Sequence, residues 1–388
     1  MSQRPLTVML VAAEASGDDR GAGLMRALKR RCGAGIRFVG VGGERMAAEG
    51  LASPFDIADL SIFGLTEGLL AYPRVVRRAD ETAALAARER PDVAVLVDSW
   101  GFTLRVAQRL RRQDPSLPLV KYVAPQVWAS RPGRARTAAA AFDLLLTIHK
   151  FDAPAFEREG LRTVFVGDAT LAIDFSVADP GRLRGQIGAG AEEPILLVLP
   201  GSRPSEIDRV LPAFEDAVRR LKAERPRLHV VIPAAPTVAQ LVKARAGRWA
   251  HVVEGEGAKR DAMKAATVAL ACSGTVTTEL ALAGCPMVVA YRLAPLTYAI
   301  LKRLIRTKYV TLFNIAAQDF VAPEMIQADC NGPALAREVA LRLDDPDLRR
   351  RQVERQNAAL LQMGRGGPDP SGAAADAVLS AIAARNNR

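Results

Sequence analysis

Short apolar runs alternate with amphipathic segments along both halves of the chain, and this alternation constrains the fold more than any other feature. Each run is only a few residues long and rich in valine, leucine or isoleucine, which is typical of buried strands. The segments between most of them carry apolar residues at helical spacing. Strands and helices that alternate in this way form a parallel sheet covered on both faces. The predicted strands are Leu6–Ala12, Arg37–Val41, Val93–Val97, Leu119–Val123, Leu144–Ile148, Thr163–Val166, Ile195–Leu199, His229–Ile232, His251–Val253, Val268–Cys272 and Met287–Tyr291.

The alternation is interrupted between Asp174 and Glu193, where turn residues predict a linker that carries one short helix. We therefore expect two α/β domains, each a doubly wound, Rossmann-like parallel sheet, that face one another across a cleft. The 388 residues, of which 49% are hydrophobic, are enough for two such cores. The predicted domains span residues 1–175 and 176–350, and the helical segment 351–388 is predicted to pack back across them.

The composition excludes several classes of protein. Four cysteines without a C-x-x-C pair, and only three histidines, indicate a reduced, cytoplasmic protein without a zinc site. The chain shows no secretory signal, and no apolar run approaches the ~18 residues of a membrane span. The net charge of +11 indicates a phosphorylated substrate or an anionic membrane surface as partner. Aromatic residues make up only 5%, so no nucleic-acid partner is expected.

One strand-to-helix junction is built to hold phosphate. The strand Ile195–Leu199 runs into Pro200-Gly201-Ser202-Arg203, and a helical pattern from Ser205 to Leu221 begins at once. Glycine lets the backbone turn tightly, and the first N–H groups of the helix point at whatever lies there. Arg203 adds a planar donor fork suited to phosphate oxygens.

A second junction of the same type follows in the same half of the chain. The strand Val268–Cys272 runs into Ser273-Gly274-Thr275 and a helix that carries Glu279. This carboxylate either binds a ligand or complements the helix dipole from the first turn. Two such junctions in one half predict a site for a nucleotide diphosphate.

Candidate residues in the N-terminal half follow two of the predicted strands. Asp98 ends Val93–Val97, so it lies at the cleft mouth and acts either as a general base or as a helix cap. Glu14, Ser16, Gly17 and Asp18 lie in the first strand-to-helix loop, where they contact a substrate or form turns and caps.

Two other patterns fail as functional motifs. Gly40-Val41-Gly42-Gly43 imitates a dinucleotide fingerprint, but Arg45 occupies its third glycine position. Asp345-Pro346-Asp347 lies in a polar helix connection, where a turn is expected rather than a metal site.

An apolar segment with neighbouring positive charge is a candidate for membrane contact. It contains Phe63, Leu65, Leu69 and Leu70, followed by Arg74, Arg77 and Arg78. Apolar side chains flanked by arginines can rest on an anionic bilayer. A second candidate, 296–308, combines leucines with lysines and arginines. The alternative for either segment is a helix whose apolar side faces the core.

Seven short motifs follow one another along the chain. They are Glu14-x-Ser16-Gly17-Asp18, Phe38-Val39-Gly40-Val41-Gly42-Gly43, Tyr122-Val123-x-Pro125-x-Val127-Trp128-Ala129, Leu199-Pro200-Gly201-Ser202-Arg203, Ser273-Gly274-Thr275 with Glu279, Pro286-Met287-Val288-Val289-x-Tyr291-Arg292 and Pro323-Glu324-x-x-Gln327. In this order and spacing they closely resemble the lipid A disaccharide synthase family over almost the whole chain. Three positions depart from the family pattern, namely Gly101, Ser130 and Asp168.

The resemblance implies a GT-B glycosyltransferase fold and an inverting enzyme of lipopolysaccharide biosynthesis. Such an enzyme joins UDP-2,3-diacylglucosamine to 2,3-diacylglucosamine 1-phosphate and releases UDP and a β-1,6-linked disaccharide. It implies a protein of the cytoplasm that is peripherally bound to the inner membrane of a Gram-negative bacterium. Neither a cofactor nor a metal ion is expected, since helix termini and Arg203 replace a cation.

The resemblance also assigns roles to residues. It favours Asp98 as the base and Arg203 as the group that stabilises the departing diphosphate. The acceptor-binding residues are Glu14, Ser16, Gly17 and Asp18, within 1–175. The residues that bind the UDP-sugar, within 176–350, are Gly201, Ser202, Arg203, Ser273, Gly274, Thr275, Glu279, Asn314 and Gln327.

Two other functions stay open at this stage. A nucleotide-sugar epimerase could use the same fold and diphosphate site, but it needs no apolar acceptor surface. A non-catalytic, basic module that binds membrane or nucleic acid would leave Asp98 and the paired glycine turns unexplained. A homodimer is compatible with each interpretation.

Overall fold

The computed structural model describes residues 4–60, 65–305 and 307–386. It divides into two compact units, which we call unit 1 (Met1–Ala169 with Gly367–Arg388) and unit 2 (Thr170–Gly366). The change of unit therefore lies a few residues before the expected position at 175, and the chain returns to unit 1 near its end.

Unit 1 is built on a sheet of six parallel strands, ordered β2-β1-β3-β4-β5-β6. The strands are β1 (Leu6–Ala12), β2 (Ile36–Val41), β3 (Val93–Val97), β4 (Leu119–Tyr122), β5 (Leu144–Thr147) and β6 (Arg162–Phe165). From β1 the chain passes to β2, which lies next to β1 on one side. It then crosses to β3, which lies next to β1 on the other side. The crevice between β1 and β3 is the place where open α/β sheets bind ligands, at the carboxyl ends of the strands.

Helices cover both faces of this sheet, because β1 and β3 are buried on both sides and have no polar face. The helices in this part of the chain are α1 (Ala15–Cys32), α2 (Glu44–Ala48), α3 (Leu65–Glu89), α4 (Trp100–Gln113), α5 (Arg134–Ala141) and α6 (Ala153–Glu157). One core lies between the sheet and α3, α4, α5 and α6, and the other packs β1, β3 and β4 against α1.

Unit 2 repeats the architecture with a second six-stranded parallel sheet, ordered β12-β11-β10-β7-β8-β9. Its strands are β7 (Ile195–Leu199), β8 (His229–Ala234), β9 (His251–Glu254), β10 (Val268–Cys272), β11 (Met287–Tyr291) and β12 (Glu324–Ile326). The order reverses between β7 and β10. The predicted doubly wound parallel architecture is confirmed, and only the three-residue β12, which has no apolar run, was not predicted.

The helices of unit 2 include a segment that the sequence predicts as linker. They are α7 (Pro180–Ile187), α8 (Pro204–Glu224), α9 (Ala239–Ala246), α10 (Glu256–Ala265), α11 (Thr275–Leu282), α12 (Pro295–Leu304), α13 (Leu312–Ala317), α14 (Gly332–Asp344) and α15 (Pro346–Met363). Helix α7 buries Leu183 and Ile187 in the core of unit 2. Arg182 of α7 also forms an ion pair at 2.6 Å with the buried Asp261 of α10. The segment is thus an integral part of unit 2.

The last helix, α16 (Pro370–Asn386), belongs to unit 1 and packs against α1. Its residues Ala374, Ala375 and Val378 are fully buried. At the surface, Arg31 Nε of α1 lies 2.5 Å from a carboxylate oxygen of Asp376. Of the helices at 351–388, α15 therefore packs in unit 2 and α16 in unit 1.

Among the residues that the structure describes, no helix is both long enough and apolar enough to cross a bilayer.

The motif Gly40-Val41-Gly42-Gly43, which begins in β2, has a packing role. Gly40 of β2 has φ +136°, and a Cβ atom there would lie 1.8 Å from the carbonyl oxygen of Leu10 on β1. We expect Gly40→Ala to lower the free energy of unfolding by more than about 4 kcal/mol, because the side chain forces the two strands apart and the backbone is strained. Denaturant unfolding measures this loss. Gly35→Ala, where the added carbon meets no atom within 4 Å, is the control and should stay within about 1 kcal/mol of the parent protein.

Candidate active site

The candidate residues gather at the two places where strand order reverses. In unit 1, Glu14 and Ser16 follow β1, and Asp98 follows β3. In unit 2, Arg203 follows β7 and Thr275 follows β10. Within each unit the paired strands are neighbours, so both loops lie at one edge of the sheet.

Asp98 occupies a strained turn at the end of β3. Asp98 and Ser99 both adopt left-handed backbone conformations, with φ 49° and 36°. Such conformations are costly for residues other than glycine and are concentrated at functional sites. The Asp98 carboxylate accepts a hydrogen bond from the N–H of Ser99 at 3.0 Å and one from Ser16 Oγ at 3.5 Å. Helix α4 begins at Trp100 without any side-chain cap, so Asp98 does not act as its cap.

A buried lysine supports this turn, and the sequence analysis missed it. Lys121 of β4 is 1% exposed, and its Nζ contacts the carbonyl oxygen of Asp98, Thr103 Oγ1 at 3.0 Å and the carbonyl oxygen of Leu96 at 3.5 Å. Three oxygen acceptors around one Nζ suit the three donors of an ammonium group. Burial lowers the pKa of Lys121 to about 7, against the opposing effect of the carboxylates of Asp98 and Glu14. A lysine inside an apolar strand was the available signal.

Arg20 of α1 connects two carboxylates at this edge. Its guanidinium lies 3.5 Å from the Asp98 carboxylate and 3.9 Å from that of Asp168. Asp168 is one of the three positions that depart from the family pattern. The positive charge is therefore shared between the candidate base and a second carboxylate.

The segment that follows β4 is fixed by a tryptophan. Trp128 Nε1 donates to the buried Asp152 carboxylate at 2.8 Å, and the Trp128 ring meets the ring of Phe151 edge to face. Burial raises the pKa of Asp152 to about 7, against the effect of the Trp128 hydrogen bond. This contact holds the loop between β4 and α5 onto unit 1.

The predicted acceptor residues fall into two groups. Glu14 and Ser16 are exposed, whereas Gly17 is buried, and a Cβ atom added to Gly17 would lie 3.4 Å from Ala12 Cβ. Asp18 is 4% exposed, and its carboxylate accepts from the N–H groups of Gly43, Arg45 and Met46 at 2.8–3.1 Å. Asp18 thus caps α2, and its predicted contact with the acceptor stays a prediction.

In unit 2 the predicted phosphate turn already holds an anion of the chain itself. Gly201 has φ +114°, which requires glycine. The carboxylate of Glu206 accepts from the N–H of Ser202 at 3.2 Å and pairs with Arg203 Nη1 at 3.2 Å. Burial and then the charge of Glu206 raise the pKa of Cys272 to about 12, which places this carboxylate close to the end of β10. A diphosphate at this turn has to exchange places with Glu206.

The second junction carries a paired carboxylate. Ser273, Gly274 and Thr275 are accessible at the start of α11. Glu279 lies beyond the first turn of α11, so the dipole-complementing alternative is wrong. Its carboxylate forms an ion pair at 2.7 Å with Lys259 of α10 and is 15% exposed.

Two further predicted donor contacts have structural partners in unit 2. Asn314 is fully buried, and its amide bonds the backbone of Val321 and Ala322 and the carboxylate of Glu324. Both polar atoms of the amide are used within unit 2, and the predicted contact of Asn314 with the UDP-sugar stays a prediction. Gln327 has φ 56°. Its Oε1 accepts a hydrogen bond from the N–H of Leu293, and its Nε2 donates one to the Leu293 carbonyl oxygen.

The predicted membrane segment is described only in part. Phe63 lies outside the described residues, and so do the side chains of Leu65, Leu69 and Leu70. Arg74 is exposed, and Arg77 is 65% exposed with a loose ion pair to Glu81. Arg78 is largely covered, because it pairs with Asp59 and Glu81 and lies over the Phe55 ring. Arg78 is therefore not available to a lipid surface.

The remaining acidic pattern has a structural explanation. Asp345 caps α15 by accepting from the N–H of Leu348 at 2.8 Å. Across residues 4–60, 65–305 and 307–386, no group of three or more His, Cys, Asp or Glu side chains is arranged to hold a metal ion.

Comparison with solved structures shows the fold. The chain superposes on the crystal structure of the kitacinnamycin glycotransferase with a TM-score of 0.64 at 17% identity, covering 98% of this chain and all of that one. It also superposes on the UDP-GlcNAc 2-epimerase of Neisseria meningitidis bound to UDP-GlcNAc, with a TM-score of 0.58 at 10% identity and coverage of 98% and 100%. The predicted GT-B architecture of glycosyltransferases and related epimerases is therefore confirmed.

Sequence comparison is more specific. The family model described as lipid-A-disaccharide synthetase matches residues 8–367. A lipid-A-disaccharide synthase of Rhodospirillum centenum is 42% identical over 385 residues, which cover 98% of this chain and 96% of that protein. The chain therefore belongs to the lipid-A-disaccharide synthase family of glycosyltransferases.

Proposed function

We propose that the protein transfers a diacylglucosaminyl group from UDP-2,3-diacylglucosamine to 2,3-diacylglucosamine 1-phosphate, giving UDP and a β-1,6-linked disaccharide. One observation carries the proposal. In a chain of this family, a carboxylate held in a strained turn and an arginine at an anion-binding turn both lie where doubly wound sheets bind ligands.

The chemistry is a single displacement with inversion. Asp98 accepts the proton of the attacking acceptor hydroxyl, while the bond from the donor sugar to UDP breaks through an oxocarbenium-like transition state. Arg203 and the start of α8 stabilise the charge that develops on the leaving diphosphate. Because these groups supply positive charge, we propose that the transfer needs no metal ion.

We expect opposite effects from substitutions of two neighbouring residues of the donor site, Arg203 and Glu206. Arg203→Ala should lower turnover by roughly 100-fold, the effect of removing one preorganised donor to developing charge. Glu206→Gln should tighten UDP binding by about threefold to tenfold, because the diphosphate no longer competes with a carboxylate for Arg203. Calorimetric titration with UDP and steady-state rates measure the two effects.

A matched control lies on the same helix. Arg219 of α8 forms an ion pair with Asp216 at the same three-residue spacing, away from the turn. Arg219→Ala should change neither UDP binding nor turnover. Weaker UDP binding by Glu206→Gln would contradict the exchange of anions and make Glu206 a residue that only orients Arg203.

The role of Asp98 is tested with its amide. Asp98→Asn keeps the size and a hydrogen-bond acceptor but cannot take a proton, so transfer should fall by roughly 10²–10⁴-fold while UDP binding stays unchanged. Asp92 precedes the same strand, where its carboxylate accepts from the N–H of Thr7 at 2.8 Å. Asp92→Asn is therefore the matched control, and equal activity of both variants would remove Asp98 from the mechanism.

Membrane association follows from the acyl chains of the substrates. Each buried CH₂ contributes ~0.8 kcal/mol, so substrates with several chains stay in the bilayer and the enzyme has to come to it. We propose that the segment 63–70, together with Arg74 and Arg77, makes this contact at the inner membrane. Arg78 is left out because of its internal ion pairs.

The membrane proposal is tested with vesicles. Replacing Phe63, Leu65 and Leu69 together by serine should shift a folded variant from sedimented vesicles to the supernatant. High salt should release only part of the parent protein, since salt screens the arginines but not the apolar contact. Equal sedimentation of variant and parent would show that these side chains belong to the core.

A further inference from the structure

Three arginines lie on α4 or at the start of α5, and one of them contacts the tryptophan that follows the Asp98 turn. Arg134, the first residue of α5, places its guanidinium carbon 5.8 Å from the centre of the Trp100 ring. Arg105 Nη1 donates to the carbonyl oxygen of Gly101 at 2.6 Å. Arg131 lies one turn before Arg134, whose N–H donates to the Arg131 carbonyl oxygen at 3.0 Å. We call Arg105, Arg131 and Arg134 the arginine cluster.

The arginine cluster has no carboxylate partner among the residues that the structure describes. Two other arginines of α4 are paired, since Arg109 lies 2.5 Å from the Asp80 carboxylate and Arg111 lies 2.6 Å from that of Asp143. Burial, and then the charge of Arg131, lower the pKa of Arg134. Arg105 and Arg134 are half-buried, whereas Arg131 is exposed. A half-buried positive charge without a counter-ion is unfavourable, and a bound anion offsets that cost.

Backbone strain fixes the position of the arginine cluster. Arg131 adopts a left-handed conformation with φ 53°. A long side chain gains nothing from this conformation, so the surrounding loop has to enforce it. The loop is held to unit 1 by the hydrogen bond between Trp128 and Asp152.

The arginine cluster belongs to the same sheet edge as Asp98. Strands β3 and β4 are parallel neighbours, with Val97 opposite Tyr122. The chain leaves β3 through Asp98 and Trp100, and it leaves β4 towards Arg131 and Arg134. Both loops start at the carboxyl ends of adjacent strands, and the contact between Arg134 and Trp100 joins them.

We propose that the arginine cluster binds the phosphate monoester of the sugar acceptor, so that the acceptor hydroxyl faces Asp98. The guanidinium fork binds two phosphate oxygens at once, and paired arginines match the double negative charge of a monoester. Trp100 offers a flat apolar surface beside this charge for the sugar ring. The inference rests on the proposed function and names the part of the substrate that unit 1 recognises.

The test compares two acceptors in non-ionic detergent micelles, 2,3-diacylglucosamine 1-phosphate and the same sugar without the phosphate. The parent protein should prefer the phosphorylated acceptor. In Arg134→Gln and Arg131→Gln, kcat/KM for the phosphorylated acceptor should fall by roughly 10- to 100-fold, so that the ratio between the two acceptors collapses towards one. KM for the donor should stay unchanged.

Controls separate this site from the other sources of an anion. Arg109→Gln changes an arginine on α4, the helix of Arg105, that already pairs with a carboxylate, and it should keep the preference of the parent. Equal losses on both acceptors, or a higher donor KM, would overturn the proposal. A loss of vesicle sedimentation by Arg134→Gln with the acceptor preference intact would assign the arginine cluster to lipid headgroups instead.

A binding measurement keeps the inference independent of turnover. Titration of the parent protein with glucosamine 1-phosphate should give saturable binding that Arg134→Gln weakens by the same 10- to 100-fold, while glucosamine binds neither protein measurably. If the parent protein transfers no sugar but shows this binding, the proposed reaction fails and the phosphate site stands. If the parent protein transfers sugar without binding glucosamine 1-phosphate better than glucosamine, the phosphate site fails.

Discussion

The reversal of strand order in each sheet is the constraint on which the rest of the structure depends. Where successive crossovers leave a strand in opposite directions, no helix covers the carboxyl ends of the two central strands, and their loops diverge. In unit 1 these strands are β1 and β3, and in unit 2 they are β7 and β10. The accessible candidates that follow these strands are Glu14, Ser16 and Asp98 in unit 1 and Arg203 and Thr275 in unit 2. The topology thus provides the opening, and the side chains only decide its chemistry.

The charges of the candidate site residues at these edges are already partly neutralised by other residues of the chain. Arg203 is paired with Glu206, Glu279 with Lys259, and Asp98 with Arg20. Such pairs lower the cost of holding charge in a partly buried site before a substrate arrives. The arginine cluster differs, because its members have no acidic partner among the described residues, and this difference led us to assign a ligand to it. A charged side chain that already has an internal counter-ion has to exchange it for the ligand on binding. A charged side chain without a counter-ion binds the ligand without such an exchange.

Sequence patterns predict the strands well, because apolar runs bounded by turn residues have few other places in a doubly wound fold. Site residues such as Asp18 and Asn314 are harder to interpret from sequence, since their hydrogen-bond partners lie in other elements of the chain. Asp18 caps a helix that starts at Glu44, and the Asn314 amide donates hydrogen bonds to the Ala322 carbonyl oxygen and to the Glu324 carboxylate. A motif shows which residues occur together, but it does not show whether an oxygen faces a substrate or a neighbouring N–H. Lys121 was missed for the complementary reason, since its role comes from the neighbouring strand and not from its own segment.

The return of α16 to unit 1 has a consequence for folding during translation. Helix α1 buries residues such as Leu24 and Leu28 in the core that also contains Val378 and Ile382 of α16. During translation this core stays incomplete until all of unit 2 has left the ribosome, because unit 2 is inserted between the two parts of unit 1. Unit 2 has a continuous sequence, so all of its strands and helices are present before α16 is made. Until then, the apolar side chains of α1 lack the contacts that α16 provides.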